Sequence, residues 1–148
     1  MSEKQELVLT KIINAPANLV YNAFTSSVAL ESWFADFAEA TAAEGGRFYA
    51  WWNAGHYASG LFKKLEENKL ISISWRGQGE PFETHVDIIF DEENNKTQLT
   101  LKHGGLGITD QWKASIKAIK SGWEYALKNL QSVFESGLDI RLYERPML

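Results

Sequence analysis

The most regular pattern in the sequence lies near its C-terminal end, where apolar residues recur every three or four positions between Gln111 and Ser136. Lysine and glutamate residues occupy much of the opposite face. This spacing predicts one amphipathic helix of about 26 residues, roughly 39 Å long, with a single apolar face. Asp110 is predicted to cap the start of the helix and Gly137 to end it.

Upstream of this helix the pattern is that of β-structure. Residues 7–13 are rich in β-branched and apolar side chains, which is typical of a strand. Further short apolar or alternating runs are separated by polar and glycine-containing turns. A short segment near residues 38–41 leaves the predicted strand count at six or seven. The other strands are predicted at residues 47–52, 57–65, 70–75, 82–90 and 97–103.

Two short helices are predicted between the first strand and the rest of the sheet. Proline suits the first turn of a helix, so Pro16 predicts a helix over residues 17–24. Ser27 is predicted to cap a second helix that ends near Trp33. After the last strand, the glycine-rich segment 104–107 is predicted to end the sheet.

This order of elements predicts an α+β fold. An antiparallel sheet of six to seven strands has one face to bury, and the long C-terminal helix is the element able to cover it. A curved sheet around a single helix leaves space beneath the helix, which predicts a pocket. We expect residues 1–148 to form a single domain. Residues 138–148 are expected to form an extended tail that docks on its own domain or on a second subunit.

Charge and composition argue against several classes of function. With 15 Lys and Arg against 19 Asp and Glu, the 148-residue chain has a net charge of −4, which argues against nucleic-acid binding. The absence of cysteine excludes disulfides and thiolate chemistry. No apolar run reaches the roughly 18 residues that a membrane span needs. The first residues also lack the pattern of a secretory signal, so a cytoplasmic location is expected.

Aromatic residues are the most distinctive part of the composition. Six Trp, five Tyr and eight Phe make up 13% of the chain. Because tryptophan is bulky and its N–H needs a partner, six of them indicate either a filled aromatic core or the wall of a pocket. For the pocket, the candidate ligand-binding residues are Trp33, Phe34, Trp52, Tyr57, Trp75, His103, Trp112 and Trp123.

Three other residues bear on the predicted pocket. Gly122 lies inside the long helix, where glycine costs about 1 kcal/mol relative to alanine. Either it packs closely against a neighbouring aromatic ring, or its missing side chain opens cavity volume. Arg47 and Arg76 flank strands near the pocket mouth and are candidates to bind a ligand carboxylate, with surface solubility as the alternative.

The histidines and acidic residues give little support for a metal or catalytic centre. His85 and Asp87 share a strand face, and His103 on the neighbouring strand would complete a two-imidazole, one-carboxylate set. The apolar residues between and after them predict that His85 and Asp87 face solvent, so no metal site is expected. Phosphate loops, nucleophile elbows and zinc-binding helix motifs are absent from the sequence. No cofactor and no catalytic residue are therefore assigned.

A set of motifs spread over the whole chain resembles the SRPBCC superfamily, the START and birch-pollen-allergen-like proteins. The similarity is greatest to the branch named for the activator of the heat-shock chaperone ATPase, whose small bacterial members end much like residues 137–148. The resemblance implies a helix-grip fold with a hydrophobic cavity between sheet and long helix. The motifs are Ile13–Pro16, Val20–Thr25, Trp33, Gly45–Phe48, Gly60–Leu61, Leu70–Trp75, Thr97–Leu101, His103 and Gly122–Trp123.

Three functions remain open at this point. The first is binding of a small hydrophobic or aromatic molecule under the long helix, as monomer or homodimer. The second, implied by the resemblance, is a protein-interaction module with a chaperone as partner. The third is a cyclase- or hydrolase-like enzyme, for which Tyr57 and His103 are the candidates to polarise a carbonyl. The predicted fold is compatible with all three functions and does not distinguish among them.

Overall fold

The computed structural model describes residues 4–144 of the chain. It contains a seven-stranded antiparallel sheet, two short helices after the first strand and a long helix near the C-terminal end. The elements are β1 (Lys4–Ile13), α1 (Ala17–Thr25), α2 (Ser27–Trp33), β2 (Phe37–Ala40), β3 (Arg47–Trp51), β4 (Tyr57–Glu66), β5 (Leu70–Gly77), β6 (Thr84–Glu93), β7 (Lys96–Gly107), α3 (Asp110–Ser136) and α4 (Arg141–Glu144).

The strand order across the sheet is β1-β7-β6-β5-β4-β3-β2, and each neighbouring pair is antiparallel. Strands β2 to β7 each lie beside the next strand in sequence, whereas β1 pairs with β7, with Ile13 opposite Thr97. Helix α3 lies against β1, β7 and α2. The predicted α+β class and the helix-grip arrangement of sheet and helix are confirmed.

The alternation of side chains along the strands defines the buried face of the sheet. In β6, Val86, Ile88 and Phe90 are buried, whereas His85 is exposed. The same apolar core includes Leu127 of α3. Burial of apolar side chains between sheet and helix is therefore what holds the two layers together. His85 lies on the other face, as the alternation predicts.

The β6–β7 hairpin is tighter than the sequence predicts. The acidic and Asn-rich segment 91–96 is predicted to be the turn, but Glu93 and Lys96 still pair with each other. Only Asn94 and Asn95 form the turn, with φ angles of 55° and 61°. Asparagine tolerates this left-handed conformation, and two such residues in succession match the twist of the flanking strands.

The glycines at 104–107 do not end the sheet as predicted. Strand β7 continues to Gly107, because β1 begins early enough for Lys4 to pair with that residue. The indole of Trp112 lies directly against Gly107, where a Cβ atom would overlap the ring. The ring of Phe82 packs on the same indole, with centroids 4.7 Å apart. Glycine at this position therefore lets the first turn of α3 approach the strand.

The N-cap residues of two helices differ from those predicted. The N-cap of α2 is Ser26 rather than Ser27, and its hydroxyl accepts a hydrogen bond from the Ala29 N–H at 3.2 Å. The N-cap of α3 is Thr109, and Asp110 lies in the first turn, where a carboxylate favours the positive end of the helix dipole. Gly137 ends α3 in the left-handed conformation, with a φ of 72°, as predicted.

Glu92 caps the first helix from a distant part of the chain. Glu92 lies between the two strands predicted at residues 82–90 and 97–103, and its Oε1 accepts a hydrogen bond from the Ala17 N–H at 2.7 Å. The side chain of Pro16, the N-cap residue, offers no such acceptor. Because the first N–H groups of a helix lack partners within the helix, the β6 carboxylate supplies one.

The segment after α3 folds back onto its own domain. The side chain of Asn129 is fully buried and binds this segment twice, at the Ile140 N–H (2.8 Å) and at the Asp139 carboxylate (2.9 Å). Residues 141–144 then form a helical turn instead of the predicted extended chain. The last four residues of the predicted tail lie outside the described residues. Within residues 4–144, no helix is long and apolar enough to cross a membrane.

Candidate functional site

A pocket of about 550 Å³ lies between α3 and the ends of β4 and β5. Its walls come from the end of α2, the β3–β4 connection, the start of β4, the end of β5, the β5–β6 connection, α3 and the start of α4. The volume falls within the range of small-molecule sites, roughly 300–1,000 Å³. The aromatic residues that line it are Trp33, Phe34, Trp52, Tyr57, Trp75, Trp123 and Tyr125.

Small residues on α3 leave this space open. Ala114, Ala118, Gly122 and Ala126 lie four positions apart, so they form one stripe along the helix, and all four line the pocket. A Cβ atom built on Gly122 would meet no atom within 4 Å. Of the two explanations for Gly122, the structure supports open volume and argues against close packing.

The floor of the pocket is a set of packed aromatic rings. The ring of Phe34 stacks on Trp123 with centroids 5.5 Å apart, and Trp75 contacts the same indole at 5.2 Å. Trp52 packs edge-on against Phe34 at 5.1 Å, and its N–H donates to the Phe34 carbonyl at 2.6 Å. These contacts fix the orientation of each ring, so the apolar surface is largely preformed.

His103 lies behind this floor and not in the pocket wall. It is fully buried, and Trp123 donates its indole N–H to Nδ1 of the imidazole at 3.0 Å. The other ring nitrogen, Nε2, lies 2.7 Å from the hydroxyl of Thr84. Because indole nitrogen is only a donor, Nδ1 must accept, and the proton is assigned to Nε2, which donates to Thr84. The Thr84 hydroxyl in turn donates to the Trp75 carbonyl at 3.3 Å.

Burial holds His103 in its neutral form. Loss of solvation, with a smaller contribution from the neighbouring His85, lowers the pKa of His103 from its ordinary 6.5 to about 4. A protonated imidazole would also lose the acceptor that Trp123 needs. With both ring nitrogens engaged, His103 supports the pocket floor by orienting Trp123, and neither nitrogen is available to a molecule in the pocket.

One carboxyl group and one guanidinium group lie on the pocket wall. Glu80 follows β5, and burial raises the pKa of its carboxyl, although contacts with the Gly77 backbone, Trp75 and Arg76 act in the opposite direction. Arg141 enters from α4 and is 9% exposed. The pocket is therefore mainly apolar, with a carboxyl group and a guanidinium group as its polar residues besides His56, Gln78 and Ser115.

A second groove on the molecule has a different character. It has a volume of about 660 Å³ and lies between β1 and the outer side of α3. Charged side chains, among them Lys11, Lys120 and Glu124, form much of its wall. It lacks the packed indole rings of the first pocket, so the first pocket is the candidate functional site.

The sequence of residues 14–135 matches the model of one protein family, described as Activator of Hsp90 ATPase homolog 1-like protein. The chain belongs to this AHSA1 family. The match spans the region from the first helix to the end of α3, so it includes nearly all of the pocket. The predicted relationship to the chaperone-activator branch is thereby confirmed. No curated protein sequence matches the chain.

Solved structures of other proteins share the AHSA1 fold seen here. The Aha1 dimer from Colwellia psychrerythraea superposes with a TM-score of 0.78 at 19% identity, over 90% of this chain and 98% of that protein. An HSP90 activator from Plasmodium falciparum gives 0.74 at 22% identity, over 86% and 94%. DynU16, a protein of the dynemicin biosynthetic locus, gives 0.76 at 18% identity over 89% of this chain. This chain spans about half of DynU16, 48%. At these identities the likeness shows the fold.

Six of the eight predicted ligand-binding residues line the pocket of this AHSA1 protein. Trp112 does not, because it packs under Phe82 and against Gly107, the last residue of β7. His103 does not either, because it lies beneath Trp123. The six that line the pocket are Trp33, Phe34, Trp52, Tyr57, Trp75 and Trp123.

The polar side of the pocket was not predicted from the sequence. Neither Arg47 nor Arg76 lines it, and the Arg47 guanidinium is exposed and lies 3.9 Å from Glu39. The arginine at the pocket is Arg141, which no local pattern distinguishes from a surface residue. Glu80 lies in the connection between β5 and β6, where no sequence pattern indicated that it would line the pocket. The sequence does contain one signal for the open volume of the pocket, which is the four-residue spacing of small residues on α3.

The described residues hold no group of three His, Asp or Glu side chains that could bind a metal ion. His85 and Asp87 lie on the outer face of β6, whereas Val86 between them is buried. His103 is on the inner face and fully buried. The three candidate metal ligands are therefore divided between the two faces of the sheet.

Proposed function

We propose that this AHSA1 protein binds a small hydrophobic or aromatic molecule in the pocket between α3 and the ends of β4 and β5. The observation that carries the proposal is the preformed aromatic floor of Phe34, Trp75 and Trp123 beneath an open volume of about 550 Å³. Transfer of apolar surface from water onto such a floor is favourable, roughly 25 cal/mol for each Å² removed from water. Flat molecules gain further from stacking on indole rings.

The side of the pocket formed by α3 supports the same proposal. If positions 114, 118 and 122 of α3 carried large apolar residues, their side chains would fill the space between the helix and the sheet. The chain has Ala, Ala and Gly there instead. The glycine lowers the intrinsic stability of the helix by about 1 kcal/mol relative to alanine. The open volume at this position is therefore accompanied by a measurable loss of helix stability.

The test is a fluorescence titration in which a variant fills the pocket. Tryptophan emission of the wild type is followed as a naphthalene derivative or a medium-chain fatty acid is added, since four tryptophans line the site. Gly122→Leu is expected to place a side chain in the open volume and to abolish saturable quenching. Lys117→Leu adds the same side chain on another face of α3 and is expected to bind as the wild type does.

Two results would overturn the proposal. One is an absence of saturable quenching by every probe in the wild type. The other is unchanged affinity in Gly122→Leu, provided that thermal unfolding shows that the variant is folded. A native mass spectrum of freshly purified protein gives an independent check, because a co-purifying small molecule would appear as an added mass that Gly122→Leu lacks.

A second candidate function is interaction with a chaperone. It is supported by the family match, described as an activator of an Hsp90 ATPase, and by the likeness to the HSP90 activator from Plasmodium falciparum. The host's chaperone ATPase is measured with wild type and with Gly122→Leu. Stimulation that survives in Gly122→Leu would assign the interaction to a surface other than the pocket. No binding and no stimulation by the wild type would remove this candidate.

The homodimer alternative is supported by the likeness to the Aha1 dimer from Colwellia psychrerythraea. Strand β1 is at one edge of the sheet, and Val8 and Ile12 on it are about half exposed. Exposed apolar residues on an edge strand favour pairing with another chain. Light scattering at several concentrations, with Val8→Lys as the variant, distinguishes a monomer from a dimer formed through this edge.

A further inference from the structure

The two edges of the sheet differ in how their backbone groups are protected. At the β2 edge, the Ala38 N–H donates to Oε2 of Glu31 at 3.2 Å. The Ala40 N–H likewise donates to the Ser27 hydroxyl at 2.9 Å, so side chains of α2 close this edge. At the opposite edge, no strand within residues 4–144 pairs with the outer side of β1. Unpaired N–H and C=O groups of an edge strand are a template for a further strand.

Strand β1 offers a regular stretch of extended backbone at this open edge. Its pairing with β7 is unbroken from Leu7 to Ile13. Near the end of this stretch, Gln131 of α3 donates to the Ile12 carbonyl at 3.0 Å and covers the edge there. The side chains of Val8 and Ile12 lie on the outer face of the sheet and are about half exposed. An added strand would therefore lie beside residues 7–11, which we call the β1 edge, and its outer face would meet apolar side chains.

The inner side of the β1 edge opens into the second groove, which has a volume of about 660 Å³. Its charged lining residues are three lysines and one glutamate: Lys11, Lys120, Lys128 and Glu124. The groove is therefore positively charged, although the chain as a whole has a net charge of −4. Successive side chains of a strand point to opposite faces, so every second residue of an added strand would enter this groove. Charge complementarity favours Asp or Glu at those positions.

A second copy of β1 suits this groove less well than an acidic segment does. The strand carries Lys4 and Lys11 but only one carboxylate, that of Glu6. Pairing between two copies would bring these lysines to a groove that already has three. Like charges brought together at an interface disfavour association. The homodimer through this edge is therefore the competing occupant, and the test below distinguishes it.

We propose that the β1 edge and the second groove bind an extended acidic segment of a partner protein, which adds to the seven-stranded sheet as a further strand. Its carboxylates lie in the groove, and its alternate side chains, apolar and β-branched, pack beside Val8 and Ile12. Backbone hydrogen bonds to β1 supply affinity, and the two faces supply specificity. This surface is separate from the proposed small-molecule pocket, although Tyr125 lines both.

A capped peptide of about ten residues, in which valine and glutamate alternate, is the probe for this surface. In calorimetry with the full chain we expect one peptide to bind per chain, with an affinity that falls as the salt concentration rises. A block peptide of the same composition, with all valines before all glutamates, is expected to bind about tenfold more weakly. An alternating peptide of valine and lysine is expected not to bind, because the groove is already positive.

Two N-methylated forms of the alternating peptide test the backbone pairing. One is methylated on the valine nitrogens and the other on the glutamate nitrogens. Successive N–H groups of a strand point to opposite edges, so only one of the two sets can face β1. One form is therefore expected to lose binding and the other to retain it.

A matched pair of charge reversals on α3 tests the groove. Lys120→Glu changes an exposed lysine that lines the groove and is expected to weaken binding of the alternating peptide about tenfold. Lys117→Glu makes the same charge change at an exposed position outside the groove and is expected to bind within about twofold of the wild type. Gly122→Leu, which fills the small-molecule pocket, is expected to bind the peptide as the wild type does. Thermal unfolding shows whether each variant is folded.

Several outcomes would overturn the proposal and leave the small-molecule pocket untouched. No binding of the alternating peptide is one, and equal binding of the block peptide is another, since it would show charge attraction alone. Equal behaviour of the two N-methylated forms would exclude strand addition. Equal effects of Lys120→Glu and Lys117→Glu would place the peptide outside the groove. A dimer in light scattering that the peptide neither binds nor dissociates would assign the β1 edge to a second copy.

Discussion

Trp123 of α3 and His103 of β7 are joined by a hydrogen bond from the indole N–H to Nδ1 of the imidazole, 3.0 Å long and fully buried. This bond determines the histidine tautomer, because the indole has no acceptor. It also determines the ring plane of Trp123, on which Phe34 stacks. A residue of the sheet therefore positions the aromatic ring at the centre of the candidate pocket.

The buried histidine makes the stability of the protein depend on pH. The pKa of His103 is 6.5 when solvated and about 4 in the folded protein, so between these values the unfolded chain binds more protons. The contribution to stability is complete above pH 6.5 and is lost as the pH falls through the window from 6.5 to 4. The free energy of unfolding is expected to fall by about 2 kcal/mol between about pH 7.5 and about pH 5.

Chemical denaturation at the two pH values measures this effect, with His103→Gln as the comparison. The measurement is made in a Glu80→Gln background, because burial raises the pKa of Glu80 and its contribution has the opposite sign. His103→Gln is expected to lose most of the pH dependence. The same slope with and without His103 would show that another group is responsible.

Comparison with Trp112 separates the contribution of the Trp123 hydrogen bond to stability from the contribution of its ring packing. Both indoles belong to α3 and both are buried, but Trp112 Nε1 has no partner among the described residues. Trp123→Phe is expected to destabilise the protein by about 1–2 kcal/mol more than Trp112→Phe, since only the first substitution leaves His103 Nδ1 without a donor. Thermal and urea unfolding of the two variants give the difference. Equal losses would mean that packing alone accounts for both positions.

The fold was predictable from the sequence because its signals are local. A period of two residues in β6 and a period near 3.6 in α3 place apolar side chains such as Val86 and Leu127 on one face. Six or seven strands, two short helices and a long helix follow from such patterns, and the structure has seven strands. The ends of elements were less predictable, since the cap of α1 comes from Glu92, 75 positions away from Ala17 in sequence.

The candidate site was predictable only in its aromatic part. Bulky rings on predicted core faces, such as Trp75 and Trp123, are visible in the sequence. Arg141 reaches the pocket because Asn129 holds the following segment against α3, and its contact with Glu31 spans 110 positions. No local pattern encodes such a contact. His103 follows an apolar row, which predicts its strand face but not that both ring nitrogens are engaged.

Gly122 and Gly107 are expected to respond in opposite ways to the same substitution. A Cβ atom on Gly122 enters open space, so Gly122→Ala is expected to stabilise the protein by about 1 kcal/mol through helix propensity. A Cβ atom on Gly107 would overlap the Trp112 indole, so Gly107→Ala is expected to cost about 1–3 kcal/mol. Both values come from urea denaturation at neutral pH. A loss of stability in Gly122→Ala would mean that the helix packs closely at this point.

Asn129 is expected to control the docking of the segment that carries Arg141. Its amide nitrogen donates to the Trp33 carbonyl (2.7 Å) and to Asp139, and its carbonyl oxygen accepts from the Ile140 N–H. Asn129→Ala removes all three hydrogen bonds and leaves the Trp33 carbonyl and the Ile140 N–H without their buried partner, so a loss of about 2–4 kcal/mol is expected. Gln131→Ala, on the same helix, removes only an exposed hydrogen bond to the Ile12 carbonyl and is expected to change stability by less than about 0.5 kcal/mol. Hydrogen exchange at the Ile140 amide follows docking directly. Protection of that amide in Asn129→Ala as strong as in the wild type would show that the segment is held by other contacts, among them the hydrogen bonds from Arg141 to the Glu31 carbonyl and from Ser132 to the Leu138 carbonyl.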